Sequence, residues 1–158
     1  MTDRDRRHNP FVNSPTGGRL LSAMQLPFFL LRPPSAYGVL TTTGRKTGKR
    51  RRRCIRAVRS GDSVYIVAIK GPRTGWVRNV QSNPQVRLWI RGGTFTCTVR
   101  EVDPVERAEA IEVYCRMASR FEYFEYAMWR RDRATPAKIE DLHRAWFERG
   151  TALVAEIE

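Results

Sequence analysis

The spacing of apolar and polar residues divides the chain into a strand-rich part followed by a helical part. Between residues 37 and 102, short runs rich in β-branched and aromatic residues are separated by turns, as is typical of β-strands. The predicted strands are YGVLTTT at 37–43, RRRCIRAVR at 51–59, VYIVAIK at 64–70, QVRLWIR at 85–91 and TFTCTVREV at 94–102. The last two alternate around Gly92-Gly93, which predicts a β-hairpin. A short helix is expected at 76–83, before Pro84.

Helical signals dominate the rest of the chain. Asp103 and Glu106 have the three-residue spacing of a capping box, and apolar residues then recur every three to four positions, so one helix is predicted from Asp103 to about Trp129. Thr135-Pro136 predicts the start of a second helix that ends near Gly150. TALVAEI, at 151–157, is expected to form a final strand.

The N-terminal segments carry weaker signals. Residues 1–18 are polar and contain Pro and Gly, which predicts a mobile tail. Residues 19–31 are expected to form a short amphipathic helix that is interrupted at Pro27.

This order of elements predicts the fold class. Strands joined by tight turns form antiparallel sheets, and helices that follow them pack on the outside. We therefore expect a mainly β protein with helices (α+β), in which the sheet is strongly curled or closed into a small barrel. With 158 residues in all and no internal repeat, residues 19–158 are expected to form a single domain.

Positive charge is concentrated in the first two thirds of the chain. The formal net charge is +13, and no Asp or Glu occurs between Asp5 and Asp62. Seven of the thirteen residues in TTTGRKTGKRRRR, at 41–53, are Arg or Lys. Such asymmetry indicates an anionic partner rather than a particular fold. The arginine excess is equally what a GC-rich genome would encode.

Four interpretations of this basic segment remain open: a solvated hairpin tip, a nucleic-acid interface, a membrane surface or a phosphate site. It is not a P-loop, because three residues rather than four separate Gly44 from Gly48, and Arg50 follows Lys49 where the motif has Ser or Thr. Specific nucleic-acid binding is disfavoured, since residues 44–60 contain no aromatic residue. The membrane alternative uses residues 19–32 as a peripheral contact. In the phosphate alternative, backbone N–H groups and Arg45 cradle the anion.

Other features exclude some classes of site. The only histidines, His8 and His143, lack neighbours at metal-ligand spacing, so no metal site is predicted. Three cysteines without a CxxC motif indicate free thiols in a reducing compartment. No apolar run is long enough to cross a bilayer. The expected location is therefore the cytoplasm, with peripheral attachment to the inner membrane face as a further option.

A resemblance favours the phosphate site. The segment at 40–52, then GDSVYIVAIKG at 61–71, WVRN at 76–79 and NPQVRL at 83–88 resemble the deazaflavin-dependent nitroreductase family over roughly residues 37–100. The resemblance implies a split β-barrel oxidoreductase that binds coenzyme F-420, a deazaflavin whose tail carries a phosphate and several glutamates. The expected cofactor-binding residues are Arg45, Lys46, Thr47, Gly48, Arg51, Ala68, Lys70, Gly71, Trp76 and Asn79.

The resemblance also implies a reaction, in which hydride passes from the reduced deazaflavin to an electron-poor small molecule such as a quinone, an activated alkene or a nitro compound. Tyr123 and Tyr126 are the candidate catalytic proton donors. Ile69 stands where many members have Ser, which leaves nitro reduction open, and the helix at 136–149 is an addition to the family pattern. Flavin mononucleotide is the alternative cofactor, a non-enzymatic basic module is the alternative function, and the chain is expected to be a monomer or homodimer.

Overall fold

The computed structural model describes residues 15–116, 118–130 and 132–158. Its helices are α1 (Pro15–Leu31), α2 (Gly75–Ser82), α3 (Arg107–Arg116), α4 (Arg120–Arg130) and α5 (Pro136–Arg149). Its strands are β1 (Tyr37–Thr43), β2 (Arg50–Ser60), β3 (Ser63–Ala68), β4 (Gln85–Ile90), β5 (Gly93–Glu101) and β6 (Thr151–Ile157). In these ranges, no helix has both the length and the apolar character needed to span a bilayer.

The strands close into a barrel in the order β1-β2-β3-β6-β5-β4, and every neighbouring pair is antiparallel. Short turns join β1 to β2, β2 to β3 and β4 to β5, as the alternating sequence segments predict. The predicted α+β class, with antiparallel strands and helices packed outside, is confirmed.

Strand β2 pairs with different neighbours along its length. Residues 50–56 pair with β1, whereas only residues 57–60 pair with β3. The first half of β2 therefore has one edge without a strand beside it, and α1 lies along this edge. Ser22 Oγ of α1 accepts the backbone N–H of Cys54 at 2.8 Å, which satisfies a donor that a neighbouring strand would otherwise pair.

Two apolar clusters hold the molecule together. Inside the barrel, buried residues such as Leu40, Ile66 and Leu153 pack against Val77 of α2. Outside it, α3 and α5 cover β3 and β6, with Tyr114 and Phe147 fully buried between them. Strands β3 and β6 thus contribute one face to the barrel core and the other face to the helical layer.

A buried polar cluster fastens the C-terminal helices to the barrel. Arg56 of β2 forms an ion pair with Glu122 of α4, and Nε2 of His143 in α5 lies 2.7 Å from the same carboxylate. Arg56 also donates to the carbonyl of Tyr114 in α3 at 2.7 Å. Arg56, Glu122 and His143 are 6%, 4% and 1% exposed. One carboxylate therefore links the barrel to α4 and α5.

The prediction of one helix from Asp103 to about Trp129 is wrong. The chain instead forms α3 and α4, and it leaves helical geometry before Ser119. The backbone N–H of Ser119 donates to Glu122 Oε2 at 2.6 Å, and the carbonyl of Ser119 accepts the N–H of Glu122. This is one half of a capping box, so the sequence Ser119-Arg-Phe-Glu122 restarts the helix.

The capping box predicted at Asp103 is present, but α3 begins only at Arg107. The N–H of Asp103 donates to Glu106 Oε1 at 2.8 Å, and Asp103 Oδ1 accepts the N–H of Val105 at 2.9 Å. Glu106 also forms an ion pair with Arg100 at the end of β5. The same carboxylate therefore joins the strand to the turn that leads into α3.

Other boundaries differ from the predictions. Helix α1 continues through Pro27 to Leu31, because Leu26 and Phe29 pack against the barrel on both sides of the proline. The predicted mobile tail, 1–18, is only partly described: residues 15–18 belong to α1, and 1–14 lie outside the described ranges. Strand β3 ends at Ala68, so Lys70 lies in an exposed turn rather than at a strand end.

Candidate active site

The basic segment forms the turn between β1 and β2. The N–H of Gly44 donates to the carbonyl of Lys49 at 2.8 Å, and the N–H of Gly48 donates to the carbonyl of Gly44 at 2.7 Å. Gly48 has φ of 66°, which strongly favours glycine. A Cβ at Gly44 would lie 3.0 Å from the Lys49 carbonyl oxygen. The two glycines thus allow a tight turn that presents Arg45, Lys46 and Thr47.

Asn79 anchors this turn to helix α2. Its Oδ1 accepts both the backbone N–H and the Nη1 group of Arg45 at 3.3 Å, while its Nδ2 donates to Thr42 Oγ1 at 3.1 Å. Asn79 and Thr42 are 7% and 2% exposed, so the bond between them is shielded from water, whereas the bonds to the exposed Arg45 are partly buried. The buried amide fixes the side chain of Arg45 relative to the barrel.

A cleft of about 490 Å³ lies at the open edge of β2, between α1 and α2. This volume is within the range of small-molecule sites. The lining residues are Ser22, Ala23, Leu26, Gly44, Arg45, Lys46, Thr47, Arg51, Arg52, Arg53, Gly75, Trp76 and Asn79. Five of them are cations and none is acidic, so the cleft attracts an anion.

The two sides of the cleft differ in chemistry. Trp76 lies at the cleft and also in the barrel core, where it is 8% exposed. Beside it, the first residue of α2, Gly75, has open space where a Cβ would point. The N-terminal end of this helix therefore lies at the cleft, where backbone N–H groups favour an anion. A planar ring contacting Trp76, joined to an anionic chain, would match both surfaces.

The structure brings six of the predicted site residues together: Arg45, Lys46, Thr47, Arg51, Trp76 and Asn79 line the cleft. The other predicted cofactor-binding residues do not line it. Gly48 shapes the turn, Ala68 is buried at the end of β3, and Lys70 and Gly71 lie in the connection to α2.

The predicted catalytic tyrosines lie on α4. Tyr123 and Tyr126 are half-buried and are not among the residues lining the cleft, and the Tyr126 ring lies 5.4 Å from the Arg130 guanidinium carbon. Helix α4 contacts α1 through Gln25 and Glu125, whereas the cleft borders α1 at Ala23 and Leu26.

Sequence reasoning missed the α1 side of the cleft. The membrane alternative assigns residues 19–32 to a peripheral contact, and it does not predict that Ser22, Ala23 and Leu26 of the same helix line the cleft. The small residues Ser22 and Ala23 in an otherwise apolar helix were the available signal, since small side chains allow close packing. Arg52 and Arg53 were not predicted to line the cleft. The run of arginines does not show which part of β2 lacks β3 as a neighbour.

Cys54, beside the cleft, is a structural thiol. Burial raises the pKa of Cys54, which outweighs the opposing effects of Ser22 and Arg53. Its Sγ donates to the carbonyl of Ser22 at 3.6 Å, a bond that requires the protonated form. The thiol is therefore a poor nucleophile. In the described part of the chain, no three His, Cys, Asp or Glu side chains are grouped as metal ligands.

Positive charge continues onto the outer face of the barrel. A smaller cleft of about 250 Å³ lies across β1, β4 and β5. Four threonines and two arginines contribute to it: Thr41, Thr42, Thr43, Thr96, Arg50 and Arg87. The β1–β2 hairpin thus carries arginines on both of its faces.

Comparison with known families agrees with this cationic cleft. The family model described as F-420H(2)-dependent quinone reductase matches residues 31–141. The chain belongs to this quinone reductase family. The resemblance to deazaflavin-dependent reductases is thereby confirmed, and the matched range includes the basic turn, α2 and α4.

Individual members of the quinone reductase family are also similar. An F-420H(2)-dependent quinone reductase of Mycobacterium tuberculosis is 40% identical over 75 residues, which cover 46% of this chain and 49% of the relative. The chain thus spans about half the length of the curated relative that it matches.

Solved structures share the fold of this quinone reductase family member. The F-420-H2 dependent reductase FDR-A has a TM-score of 0.50 and 24% identity, over 77% of this chain and 94% of that chain. A 5-nitroimidazole antibiotic resistance protein of Bacteroides thetaiotaomicron has a TM-score of 0.54 and 12% identity, over 85% and 79%. At these identities the likeness establishes the barrel fold.

Proposed function

We propose that the chain is an F-420-dependent oxidoreductase that reduces a quinone-type small molecule. The observation that carries this proposal is the acid-free cleft, in which five cations surround a buried tryptophan and a glycine turn. Coenzyme F-420 joins a flat deazaflavin to a phosphate and a polyglutamate tail, and the donor set matches that combination. When bound in reduced form, the deazaflavin supplies a hydride for an electron-poor acceptor.

The chain's own residues would bind and orient the cofactor. Arg45, Lys46, Thr47 and Arg51 would hold the phosphate and the start of the tail, through charge-assisted hydrogen bonds. Asn79 would act through Arg45, since it fixes that side chain before any ligand arrives. Trp76 would border the ring and exclude water from one side of the cleft.

The predicted residues that do not line the cleft would act only where the deazaflavin ring extends beyond it. In this proposal Ala68, Lys70 and Gly71 lie beside the deazaflavin, and Tyr123 or Tyr126 delivers the proton that the reduced acceptor needs. Turnover by Tyr126→Phe tests the last role, because an unchanged rate would remove that phenol from the mechanism. Ile69 is 51% exposed and offers no hydroxyl to a nitro group, so a quinone or activated alkene is favoured as the acceptor.

A fluorescence titration of the full chain with F-420, with flavin mononucleotide in parallel, tests the cofactor. Arg45→Ala and Lys46→Ala should each weaken F-420 binding about tenfold or more, because each removes a charge-assisted hydrogen bond worth roughly 1.5–3 kcal/mol. Arg91→Ala is the matched control, since Arg91 is an exposed cation in the β4–β5 turn and does not line the cleft.

The titration separates the alternatives. Binding of flavin mononucleotide without F-420 would keep the barrel and replace the cofactor. If neither cofactor binds, the oxidoreductase proposal fails and the basic-module alternative is favoured. Equal losses in Arg91→Ala and Arg45→Ala would mean that total charge rather than the cleft governs binding.

We further propose a cytoplasmic protein, monomeric or homodimeric, that contacts the inner membrane face through residues 19–32. The exposed apolar residues of α1 support this contact, with Phe28 and Leu31 73% and 83% exposed. Flotation of the chain with anionic liposomes tests it, and failure to float would exclude it.

A further inference from the structure

Helices α1 and α4 lie side by side on the barrel. Gln25 Nε2 donates to Glu125 Oε1 at 3.0 Å, and the rings of Phe29 and Phe121 meet edge to face with centroids 5.5 Å apart. From the first contact to the second, the residue number rises by four in α1 and falls by four in α4. The two helices are therefore antiparallel neighbours.

The geometry of this pair brings exposed apolar residues onto one surface. In each helix, the residue before a contacting residue is rotated by about 100° from the contact. Because the helices are antiparallel, those residues turn to the same side of the pair. Met24 and Phe28 lie there on α1, and Phe124 lies there on α4. Met128, one helical turn after Phe124, falls on the same face of α4. Ser22, Leu26 and Phe29 of α1 face the barrel instead.

These four side chains form what we call the two-helix face. They are well exposed: Met24 64%, Phe28 73%, Phe124 63% and Met128 49%. Leu20 and Leu31, at 54% and 83%, extend the face along α1. Contiguous exposed apolar surface of this kind marks a contact with a partner or a membrane.

Charge identifies the partner. The described residues of α1 include no acidic residue, and of the two acidic residues of α4, Glu122 is buried and Glu125 is half-buried. Glu122 is paired in the buried cluster, and Glu125 is held against Gln25. Arginines border the face on the solvent side, at Arg32, Arg120 and Arg130. Among the described residues of the two helices, the exposed charges are thus cationic, and an apolar surface with such charges complements an anionic lipid bilayer.

We propose that the two-helix face docks on an anionic bilayer, with α4 contributing as much as α1. This rests on and extends the membrane contact proposed for residues 19–32, and it adds the helix that the sequence did not place there. Helix α1 presents Ala23 and Leu26 to the cleft from its other side. Docking therefore places the cleft next to the bilayer surface, where a lipid-soluble acceptor is concentrated.

Co-sedimentation of the full chain with vesicles tests this proposal without using the cofactor, so its outcome is independent of the F-420 titration. Phosphatidylcholine vesicles with and without phosphatidylglycerol are compared. The wild type should partition onto the anionic vesicles. Both Phe28→Ser and the double variant Phe124→Ser/Met128→Ser should partition about tenfold less well, because each loses apolar contact with the acyl region.

Val105→Ser is the matched control, since Val105 is 94% exposed but belongs to neither helix. Thermal unfolding of all variants should remain close to the wild type, because the replaced side chains are exposed. Wild-type partitioning by Phe124→Ser/Met128→Ser would overturn the role of α4. Self-association in light scattering, without vesicle binding and lost in the same variants, would assign the face to a second copy instead.

Discussion

At the scale of single residues, Asn79 has the most distinctive position in the cleft. Its side chain connects the barrel, through Thr42, with the basic turn, through Arg45. A flexible arginine loses conformational entropy when it binds an anion. By holding Arg45 in place beforehand, the buried amide reduces that cost.

Asn79→Ala should therefore weaken both folding and binding. Thr42 Oγ1 would remain buried without its donor, which costs about 1–3 kcal/mol of unfolding free energy. Arg45 would lose its orientation, and F-420 affinity should fall severalfold. Urea unfolding and the fluorescence titration measure the two effects.

Two comparisons make the Asn79 prediction specific. Asn83→Ala removes an amide that accepts only the exposed N–H of Gln85 among the described contacts, so its effect should be small. Thr42→Val in the Asn79→Ala background should recover part of the lost stability, because it removes the unpaired hydroxyl. If Asn79→Ala unfolds and binds like the wild type, the anchoring role is wrong.

Single residues were also where the sequence was most informative. The order of Gly44, Arg45, Lys46 and Thr47 indicated an anion site, and the structure places all four at the cleft. Arg52 and Arg53 were not predicted because a run of identical residues carries no information about its surroundings. Only the absence of a β3 partner beside residues 50–56 of β2 identifies them.

At the scale of elements, Glu106 links β5 to the beginning of α3. Its hydrogen bond with Arg100, together with the N–H of Asp103, lowers the pKa of the Glu106 carboxyl to about 2. A carboxyl whose pKa is lower in the folded state stabilises the fold above its unfolded pKa of about 4.5. That contribution is lost as the pH falls from about 4.5 to about 2.

Glu106→Gln should consequently reduce the unfolding free energy at pH 7 by about 0.5–1 kcal/mol, a modest loss because Arg100 is 43% exposed and solvent screens the pair. The difference from the wild type should shrink as the pH falls towards 3. Urea unfolding at both pH values measures it. Glu109→Gln, in the first turn of α3, is the control, and a loss that is equal at pH 7 and pH 3 would refute the linkage.

Elements with strong periodicity were predictable, and their boundaries less so. The strands follow from alternation and turn residues, which are local properties. The division between α3 and α4 depends on Glu122, whose carboxylate caps Ser119 and pairs with Arg56 far away in the sequence. The continuity of α1 through Pro27 likewise depends on packing against the barrel. Tertiary contacts decided both cases.

At the scale of the whole molecule, the buried cluster of Arg56, Glu122 and His143 joins the barrel to its helical layer. Glu122→Ala should lower the unfolding free energy by about 3–5 kcal/mol, because it removes the carboxylate that pairs with the buried guanidinium of Arg56. Urea unfolding, followed by tryptophan fluorescence, measures the loss.

The control for the cluster is Glu112→Ala, which removes an exposed partner of Arg144 and should cost less than about 1 kcal/mol. The double variant Arg56→Met/Glu122→Leu should regain much of the stability, since a well-packed apolar pair replaces the buried charges. Similar small losses in Glu122→Ala and Glu112→Ala would show that the cluster does not hold the helices.

The run of four arginines at the start of β2 has a consequence for the register of the β1–β2 hairpin. In an antiparallel hairpin, sliding one strand by a single residue exchanges its two faces. Arg51 and Arg53 now share a face with Thr42, and Arg50 and Arg52 share the other with Thr41. After a one-residue shift, each face would still receive two arginines. The charge on each face of this edge is therefore insensitive to a one-residue change of register, provided that the shift is absorbed before Cys54.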